Sequence, residues 1–588
     1  MSAASQGTLS ALDISRLLGQ AYPPTDEQQA VIEAPLTPQL VVAGAGSGKT
    51  ETMSARVVWL IANGLAQPRD ILGLTFTRKA AFELNERIGH RLAQLATAMR
   101  ENGIALPPGL ERSHTDIVGQ RPHVHTYNGF ALDLVKEHAL RIGVDPEFTV
   151  LTPAAAWQLA FDIVDGYSGT LPFTQKSATI ASAVVSLSGS LADHLATTAD
   201  FDDYLRDIEV TTMNLPLQDD GGKRRTAPKD VKKLWESLEQ RRALVPLLVE
   251  FAERKRELGA IDFADQVAYA ARIAREAPAV AIAARSQYPV VLLDEFQDTS
   301  VSQLVFLERL FGNGHATCAV GDPNQAIYGW RGASAASLSH YAVTFGTPEA
   351  PVREYSLSTS FRNDELVLAA ANAVGTLLER DDSPVTLPVL RARPGAGPGA
   401  IACTRYADTR READGIAAWI AHERETALAA WDGEGLDSPP PPSAAILTRT
   451  RGMVPALTDA LDSAGLPYHV VGGGGLLHEP EVADVRALLE VADASDRGDS
   501  LTRLLEGPRF RLGTRDIAVL GRWRDRLQQL NPEARERGDS AAYVTLADAI
   551  EQLPPADWRD REGRSLSDEG RQRLHDLSLI HISEPTRP

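Results

Sequence analysis

The chain is poor in cysteine, with only Cys318 and Cys403 among 588 residues, far apart and without metal-ligand spacing. That pattern speaks against a disulfide framework or a zinc site and fits a reducing cytoplasm, the expected location. It also lacks any run of about 18 apolar residues, so neither a membrane-spanning helix nor a membrane partner is expected. The opening residues MSAASQGTLSALDISRL lack a basic segment followed by an apolar one, which argues against a secretory signal. An excess of positive charge is missing too: 59 Lys and Arg stand against 78 Asp and Glu, a formal charge of -19. A globally basic nucleic-acid binder is therefore unsupported, although phosphate contacts need only a locally basic groove. With 43% hydrophobic and 23% charged residues, the composition is that of an ordinary soluble protein, and its length calls for several domains.

What the sequence does have is a strand, a small-residue loop and a helix in succession. Leu40, Val41 and Val42 form a short apolar run, followed by Ala43, Gly44, Ala45, Gly46, Ser47 and Gly48. From Thr52 to Ile61, Met53, Val57, Leu60 and Ile61 recur at helical spacing. Such a succession aims backbone N–H groups at an anion where the helix begins. Lys49 is expected to reach the β- and γ-phosphates of a nucleotide, and Thr50 to ligate Mg²⁺. The general pattern has Gly where this chain has Ala43.

A second segment, YPVVLLDEFQDTS, runs through apolar Val290–Leu293 into Asp294 and Glu295. This strand is expected to lie parallel to the first in a sheet buried on both faces. Its carboxyl end sets Asp294 beside the metal and Glu295 beside an attacking water, as a general base. An acidic strand end by itself is usually solvated surface. The phosphate loop is what gives this one a chemical reading.

With both segments in view, the chain resembles the UvrD/Rep/PcrA-type helicases of superfamily one, in order along most of its length. The resemblance implies an α/β fold, a P-loop NTPase with RecA-like parallel-sheet motor domains carrying helical insertions, with ATP and Mg²⁺ as cofactors. In PPTDEQQAVI it implies that Gln28 contacts the adenine. In GLTFTRKAAFELNERI, Thr75, Phe76, Thr77 and Arg78 would grip single-stranded DNA. In VHTYNGFA, Thr126 and Tyr127 would do the same, with Asn128 where many relatives have His. GAIDFADQV (Gly259–Val267) is similar to a short family segment preceding the acidic strand. In AVGDPNQAIYGWRGA, Gln325 would sense the γ-phosphate, Tyr328 and Trp330 would stack on bases, and Arg331 would support that link. Aromatics on a basic platform stack any base, at about 1–3 kcal/mol each. In YSLSTSFRN, Arg362 would reach across the cleft to the γ-phosphate, an arginine finger. Glu481 and Asp484 look like a family acidic pair, with a solvated helix face as the equal alternative.

The organisation implied is a first motor domain at 1–93 and 286–345, a helical insertion at 94–285 and a second motor half over 346–491. A second insertion would begin at 492–576. Val231–Leu258 has a long helical pattern, and Gly221–Lys233 packs six basic residues around a loop, a candidate duplex-DNA contact or a solvated charge run. Asp432–Ala444 reads as a Pro-rich loop. No counterpart of the family's later motifs precedes Pro588, and Leu577–Arg587 matches one frame of a sequencing adapter. The expectation is therefore a truncated chain with a non-native tail at 577–588.

Within the family, VVAGAGSGKTETMSARVVWLIANGL, HTYNGFA and GWRGASA look most like AdnB, the lead-motor subunit of actinobacterial helicase–nucleases. That likeness implies an AdnA-like partner and a nuclease domain downstream, besides single-stranded and duplex DNA. A free-standing UvrD-type repair helicase and a non-motor ATP-binding scaffold are the alternatives.

Overall fold

A computed structural model of the chain describes residues 8–107, 110, 121–172, 175–214, 229–329, 336–378, 387–429, 443–472, 476–494, 496–530 and 544–583. The chain forms two compact units, residues 1–402 and 403–588.

The first unit is built on six strands: β1 (Gln39–Ala43), β2 (Ile71–Thr75), β3 (His123–Thr126), β6 (Val290–Leu293), β7 (Thr317–Gly321) and β8 (Arg353–Leu357). They lie in the order β3-β2-β6-β7-β1-β8, and every pairing is parallel. Alternate side chains enter two separate cores, as the two-residue period of a strand requires. Leu40, Val42, Leu72, Leu74, Val291 and Leu293 face one core. Val41, Ala43, Ile71, Val290, Leu292 and Val320 face the other. Four helices cover the second face: α1 (Ala11–Leu17), α2 (Asp26–Ile32), α3 (Lys49–Ala62) and α4 (Arg78–Glu101). The first face is covered by α5 (Tyr127–His138), α11 (Phe263–Glu276), α12 (Pro278–Gln287), α13 (Val301–Phe311) and α14 (Ala336–Phe345). Helices on both faces are what an all-parallel, fully buried sheet demands.

Arg56 is an unusual member of this core. It is 2% exposed, and its guanidinium donates to the carbonyls of Val31, Ile32, Ala34 and Pro35. These are carbonyls at and just beyond the end of α2, where the helix's own hydrogen-bond ladder runs out. The arginine thereby ties α2, and the Gln28 it carries, to α3.

The helical insertion is narrower than 94–285. β3 pairs with β2, and α5, α11 and α12 pack on the sheet, so they belong to the sheet domain. The insertion proper lies between two short strands, β4 (Thr149–Val150) and β5 (Ala260–Ile261), which pair with each other. It contains α6 (Pro153–Asp165), α7 (Ser177–Asp193), α8 (Thr198–Met213), α9 (Lys229–Arg242) and α10 (Val245–Glu257). Ala160, Val184, Leu247 and Phe251 form a core of their own there. The single long pattern expected over Val231–Leu258 is two helices, with Pro246 in the first turn of the second. Pro is tolerated there because the first helical N–H groups have no partner to lose. Of the basic loop, residues 221–228 lie outside the described residues.

The sheet also continues beyond 346. β8 joins β1 in register from Gln39↔Arg353 to Ala43↔Leu357, so the edge of the first sheet domain falls after it. Next come a small pair, β9 (Thr359–Ser360) with β10 (Arg391–Ala392), and helix α15 (Glu365–Thr376).

The second unit is helical among its described residues. Helices α16 (Thr409–Ala429) and α17 (Val454–Ser463) share a core of Ala413, Ala417, Leu457 and Leu461. Then α18 (Pro480–Asp493), α19 (Gly498–Glu506), α20 (Thr514–Leu530), α21 (Leu546–Glu551) and α22 (Asp568–Ser583) follow. Leu505, Val519, Leu520 and Leu574 lie at the centre of a second core in this unit. Of the second parallel sheet expected over 346–491, the described residues form only the short β9–β10 pair. Residues 443–448 form no strand, and a parallel strand exists only through its ladder partners. The last helix runs through position 577.

Candidate nucleotide site and aromatic pair

The carboxyl ends of the six strands gather the residues with chemistry to offer, as open parallel sheets do. After β1, the loop turns on Gly46 (φ 76°) and Gly48 (φ 81°), both in the left-handed region that suits glycine. Gly48 caps α3 with no side chain, so the first N–H groups of that helix face the loop mouth uncapped. The chain after β8 closes over this loop. Phe361 N–H donates to Gly46 O at 2.8 Å and Ser360 Oγ to Ala45 O at 3.0 Å. A Cβ on Gly46 would come within 2.7 Å of Arg362 Cβ, and one on Gly44 within 2.1 Å of Leu390 Cδ2. Only glycine allows this approach, and it sets the exposed Arg362 beside the loop. Ser47 is buried, its hydroxyl on Gly44 O.

Lys49 and Thr50 open α3, both half-buried. Lys49 Nζ lies 3.0 Å from Glu295 Oε2. Glu295 has φ 48°, a left-handed backbone uncommon for a residue with a side chain. The neighbouring Asp294 is 4% exposed. Its carboxyl is pushed up to about 7 by burial and by Glu295 beside it, against the pull of Lys49 and of the Glu295 N–H. That N–H donates to Asp294 Oδ1 at 3.0 Å.

Gln28 sits at the loop as expected, but its amide is engaged within the protein. Its Oε1 accepts from Thr25 N–H at 3.0 Å, closing a capping box, and its Nε2 donates to Ser47 O at 3.2 Å. Tyr22 and Phe361, which sequence reading did not single out, meet edge to face at 6.2 Å, and Tyr22 shares a cavity wall with Gln28. Glu27 accepts from the N–H and hydroxyl of Ser358, fixing α2 to the end of β8.

The expected DNA contacts divide. Phe76 follows β2, and its ring packs against Tyr328 with centroids 4.6 Å apart. Thr77 and Arg78 are exposed at the start of α4, where Thr77 Oγ1 caps Ala80 N–H. Thr126 caps Gly129 N–H at the start of α5. Thr75 and Tyr127 depart from expectation. Thr75 is fully buried as the last residue of β2. Tyr127 is 2% exposed, and its hydroxyl donates to Asp294 O at 2.8 Å, so its ring is core and presents no face to DNA. Burial, then the nearby Asp294, pushes its phenol well above the usual range. Asn128 Oδ1 accepts from Gln303 Nε2 at 2.9 Å. Trp330 and Arg331 lie outside the described residues.

Gln325 is present in the turn after β7, with its Nε2 on Asp322 Oδ2 at 2.6 Å. Two further residues there were not anticipated. Gln297, 1% exposed, donates to Glu295 Oε2 at 2.8 Å and accepts from Asp322 N–H at 3.0 Å. Asp298 is pushed up to about 6 by burial and by Glu295, while the N–H groups of Ile327 and Tyr328 act in the opposite direction. The signal available in sequence was the polar pair one residue beyond the acidic strand end, after Phe296. Asp262 and Asp265 of GAIDFADQV are bridged by the buried Lys255 of α10 at 2.8 and 2.6 Å, a local brace between α10 and α11. Asp484 is held by Arg503 at 2.7 Å within the second unit, while Glu481 is exposed on α18.

A glycine loop under an uncapped helix, with lysine and paired carboxylates at the carboxyl ends of a parallel sheet, defines a P-loop NTPase fold. The family pattern for the UvrD/REP helicase N-terminal domain matches residues 24–345, and that for the UvrD-like helicase C-terminal domain matches 355–539. The chain belongs to the UvrD/Rep helicase family. It is similar to DNA helicase II of Escherichia coli, 24% identical over 528 residues, covering 89% of this chain and 62% of that protein. It is also similar to the ATP-dependent DNA helicase UvrD1 of Mycobacterium leprae, 26% identical, covering 86% and 57%. ATP-dependent DNA helicase PcrA of Leuconostoc citreum is 24% identical, covering 85% and 57%. The chain thus spans about three fifths of the length of these relatives. No described helix is long and apolar enough to cross a membrane.

Proposed function

We propose that this chain belongs to an ATP-dependent DNA translocase or helicase that moves 3′ to 5′ in repair or recombination. The observation that carries the reading is the nearness of two sites. Glu295 stands at the nucleotide loop, and one short turn further on, Asp298 faces the backbone of Tyr328, which packs on Phe76.

The uncapped start of α3 and the Gly46 and Gly48 N–H groups suit a phosphate. Lys49 leaves Glu295 for that phosphate. Thr50 and Asp294 are the donors for a divalent cation, Mg²⁺ by the usual preference for hydroxyl, carboxylate and phosphate oxygens. The buried Asp294 carboxyl fits such a role, since a nearby cation favours its charged form. Bound metal would supply charge neutralisation at the phosphates. Glu295, released from Lys49, accepts the proton of the attacking water. Gln325, once released from Asp322, and Arg362 would act on the terminal phosphate. Gln28, with Tyr22 and Phe361 near it, offers an amide and two rings to a base.

Purified full-length protein should hydrolyse ATP faster when single-stranded DNA is added, and should displace a strand from a duplex with a 3′ tail. Phe76→Ala should weaken single-strand binding about 5- to 150-fold, the equivalent of about 1–3 kcal/mol of stacking. Turnover indifferent to DNA would favour the scaffold reading instead. The likeness to AdnB supports a further role as one subunit of a helicase–nuclease beside an AdnA-like chain. Co-expression with such a chain, followed by sizing of the complex, tests that role.

A further inference from the structure

The helical insertion leaves and re-enters the sheet domain through β4 and β5, which pair over two residues each. A further attachment lies where α7 ends. That helix packs on α11 and α13 of the sheet domain as well as on its own neighbours α6 and α10. Leu195, two residues past the end of α7, packs against the core of the sheet domain. It does so with φ 54°, a left-handed backbone that a side chain disfavours and that only surrounding packing maintains. Asp193, the last residue of α7, is half-buried next to this contact. An anion there opposes the helix dipole, whose negative end lies at the same place. Across the joint, Asp262 and Asp265 already share one cation, Lys255. Behind that pair on α11 stand Tyr269, which feels both carboxylates and Lys255, and Arg272. Burial pushes the Asp193 carboxyl up to about 6, while the exposed His194 pulls it down and Asp262 adds to the rise.

We propose that the end of α7 is a proton-operated joint: with Asp193 neutral the insertion is seated on the sheet domain, and with Asp193 charged the seat around Leu195 opens. Neither ATP nor DNA enters into it. A third carboxylate meets a lysine that two others already hold, so its charge is uncompensated inside the seat. In the opened joint the same carboxylate is hydrated, and Leu195 relaxes its backbone. A carboxyl raised in the seated state favours seating fully below about pH 4, and that preference is lost as pH rises through about 6. In acid the insertion is therefore fixed at α7 as well as at β4 and β5. At neutral pH it is held chiefly by the two short strands and is freer to shift against the sheet. A residue serving only to end the helix would be neutral or basic, because the last turn attracts cations.

The test is amide hydrogen exchange, read by mass spectrometry on the full chain at pH 5 and pH 7.5, each rate divided by the intrinsic rate at that pH. Peptides spanning 191–196 report the seat, where the N–H groups of Leu195 and Ala196 close the helix end on Ala192 O and Leu191 O. Peptides within 180–184 report the insertion's own core. Opening at 191–196 should increase about tenfold from pH 5 to pH 7.5, the change allowed by a carboxyl moving between about 6 and an ordinary 3.8. Exchange at 180–184 should change by less than about twofold, as a separate cooperative unit would. Asp193→Asn, neutral at both pH values, should keep 191–196 near the wild-type pH 5 level throughout. Equal opening of wild type and a folded Asp193→Asn protein at pH 7.5 overturns the proposal. So does a pH response that 180–184 shares, since the whole insertion would then be loosening. If Asp193→Asn does not fold, the wild-type profile decides, and a flat one overturns the proposal.

Discussion

Lys49 Nζ and Glu295 Oε2, 3.0 Å apart, join the phosphate loop to the end of β6. The pair occupies both groups that the proposed hydrolysis would use, so on that reading nucleotide binding must break it. Lys49→Ala should lower ATP turnover by about 100-fold or more, the scale seen when one preorganised charge-stabilising donor is lost. Salt-sensitive DNA binding should persist in that variant, and filter binding alongside phosphate release checks both. Glu295→Gln should also stop turnover, yet bind ATP more tightly than wild type, because Lys49 is no longer held by an anion. Weaker nucleotide binding by Glu295→Gln would contradict the competition between carboxylate and phosphate.

Asp294 predicts a pH dependence of stability. Its folded carboxyl is raised to about 7 from an ordinary 3.8, first by burial and then by Glu295. The folded state therefore binds the extra proton between about pH 4 and 7, and stability falls as pH rises through that window. Asp294→Asn removes the penalty along with hydrolysis. Its melting temperature should exceed that of the nucleotide-free wild type, by more at pH 8 than at pH 5. Each kcal/mol relieved corresponds to about 2–4 °C in a domain of roughly this size. A difference that shrinks with rising pH would contradict the assignment.

Tyr127 is buried, with its hydroxyl on Asp294 O. Tyr127→Phe should cost about 0.5–1.5 kcal/mol in urea unfolding, the net value of one such hydrogen bond. Single-strand affinity should not change. A large loss of affinity with unchanged stability would restore the ring to the DNA surface.

Arg56 reaches four carbonyls around the end of α2. Arg56→Leu should destabilise the first unit by about 1.5–3 kcal/mol, since hydrogen bonds to a charged donor are among the stronger ones. Arg56→Lys should recover little, because an ammonium cannot fork to several carbonyls at once. Full rescue by lysine, read from the same denaturation curves, would mean that charge alone matters there.

Much of the first unit was legible because its strands and loop are local signals. Val290–Leu293 and the loop after Val42 carry their own apolar and small-residue marks. β3 was missed as part of the sheet because His-Val-His-Thr alternates, as an edge strand does, and offers no apolar run. β8 was assigned to the wrong side of the boundary because its partner, β1, lies at the other end of the domain's sequence. Depth was not legible either. Thr75 and Tyr127 stand in segments shared with exposed residues, and only the packing of α5 and β2 shows that they face inward. Gln297 and Asp298 follow Glu295 after only Phe296, yet their partners Asp322, Ile327 and Tyr328 come from another loop, which no local pattern reveals.

The left-handed backbone of Glu295 and the buried carboxyl of Asp294 sit side by side at one strand end. Both are departures from what a stable fold prefers, and strain of the first kind costs about 1–3 kcal/mol. Glycine at 295 would relax the backbone, and a neutral side chain at 294 would end the burial of charge. On the proposed reading of the site, either change makes a sturdier protein and an inert one. A laboratory screen that scores only survival after heating will therefore enrich dead variants at these two positions, unless turnover is scored in the same round.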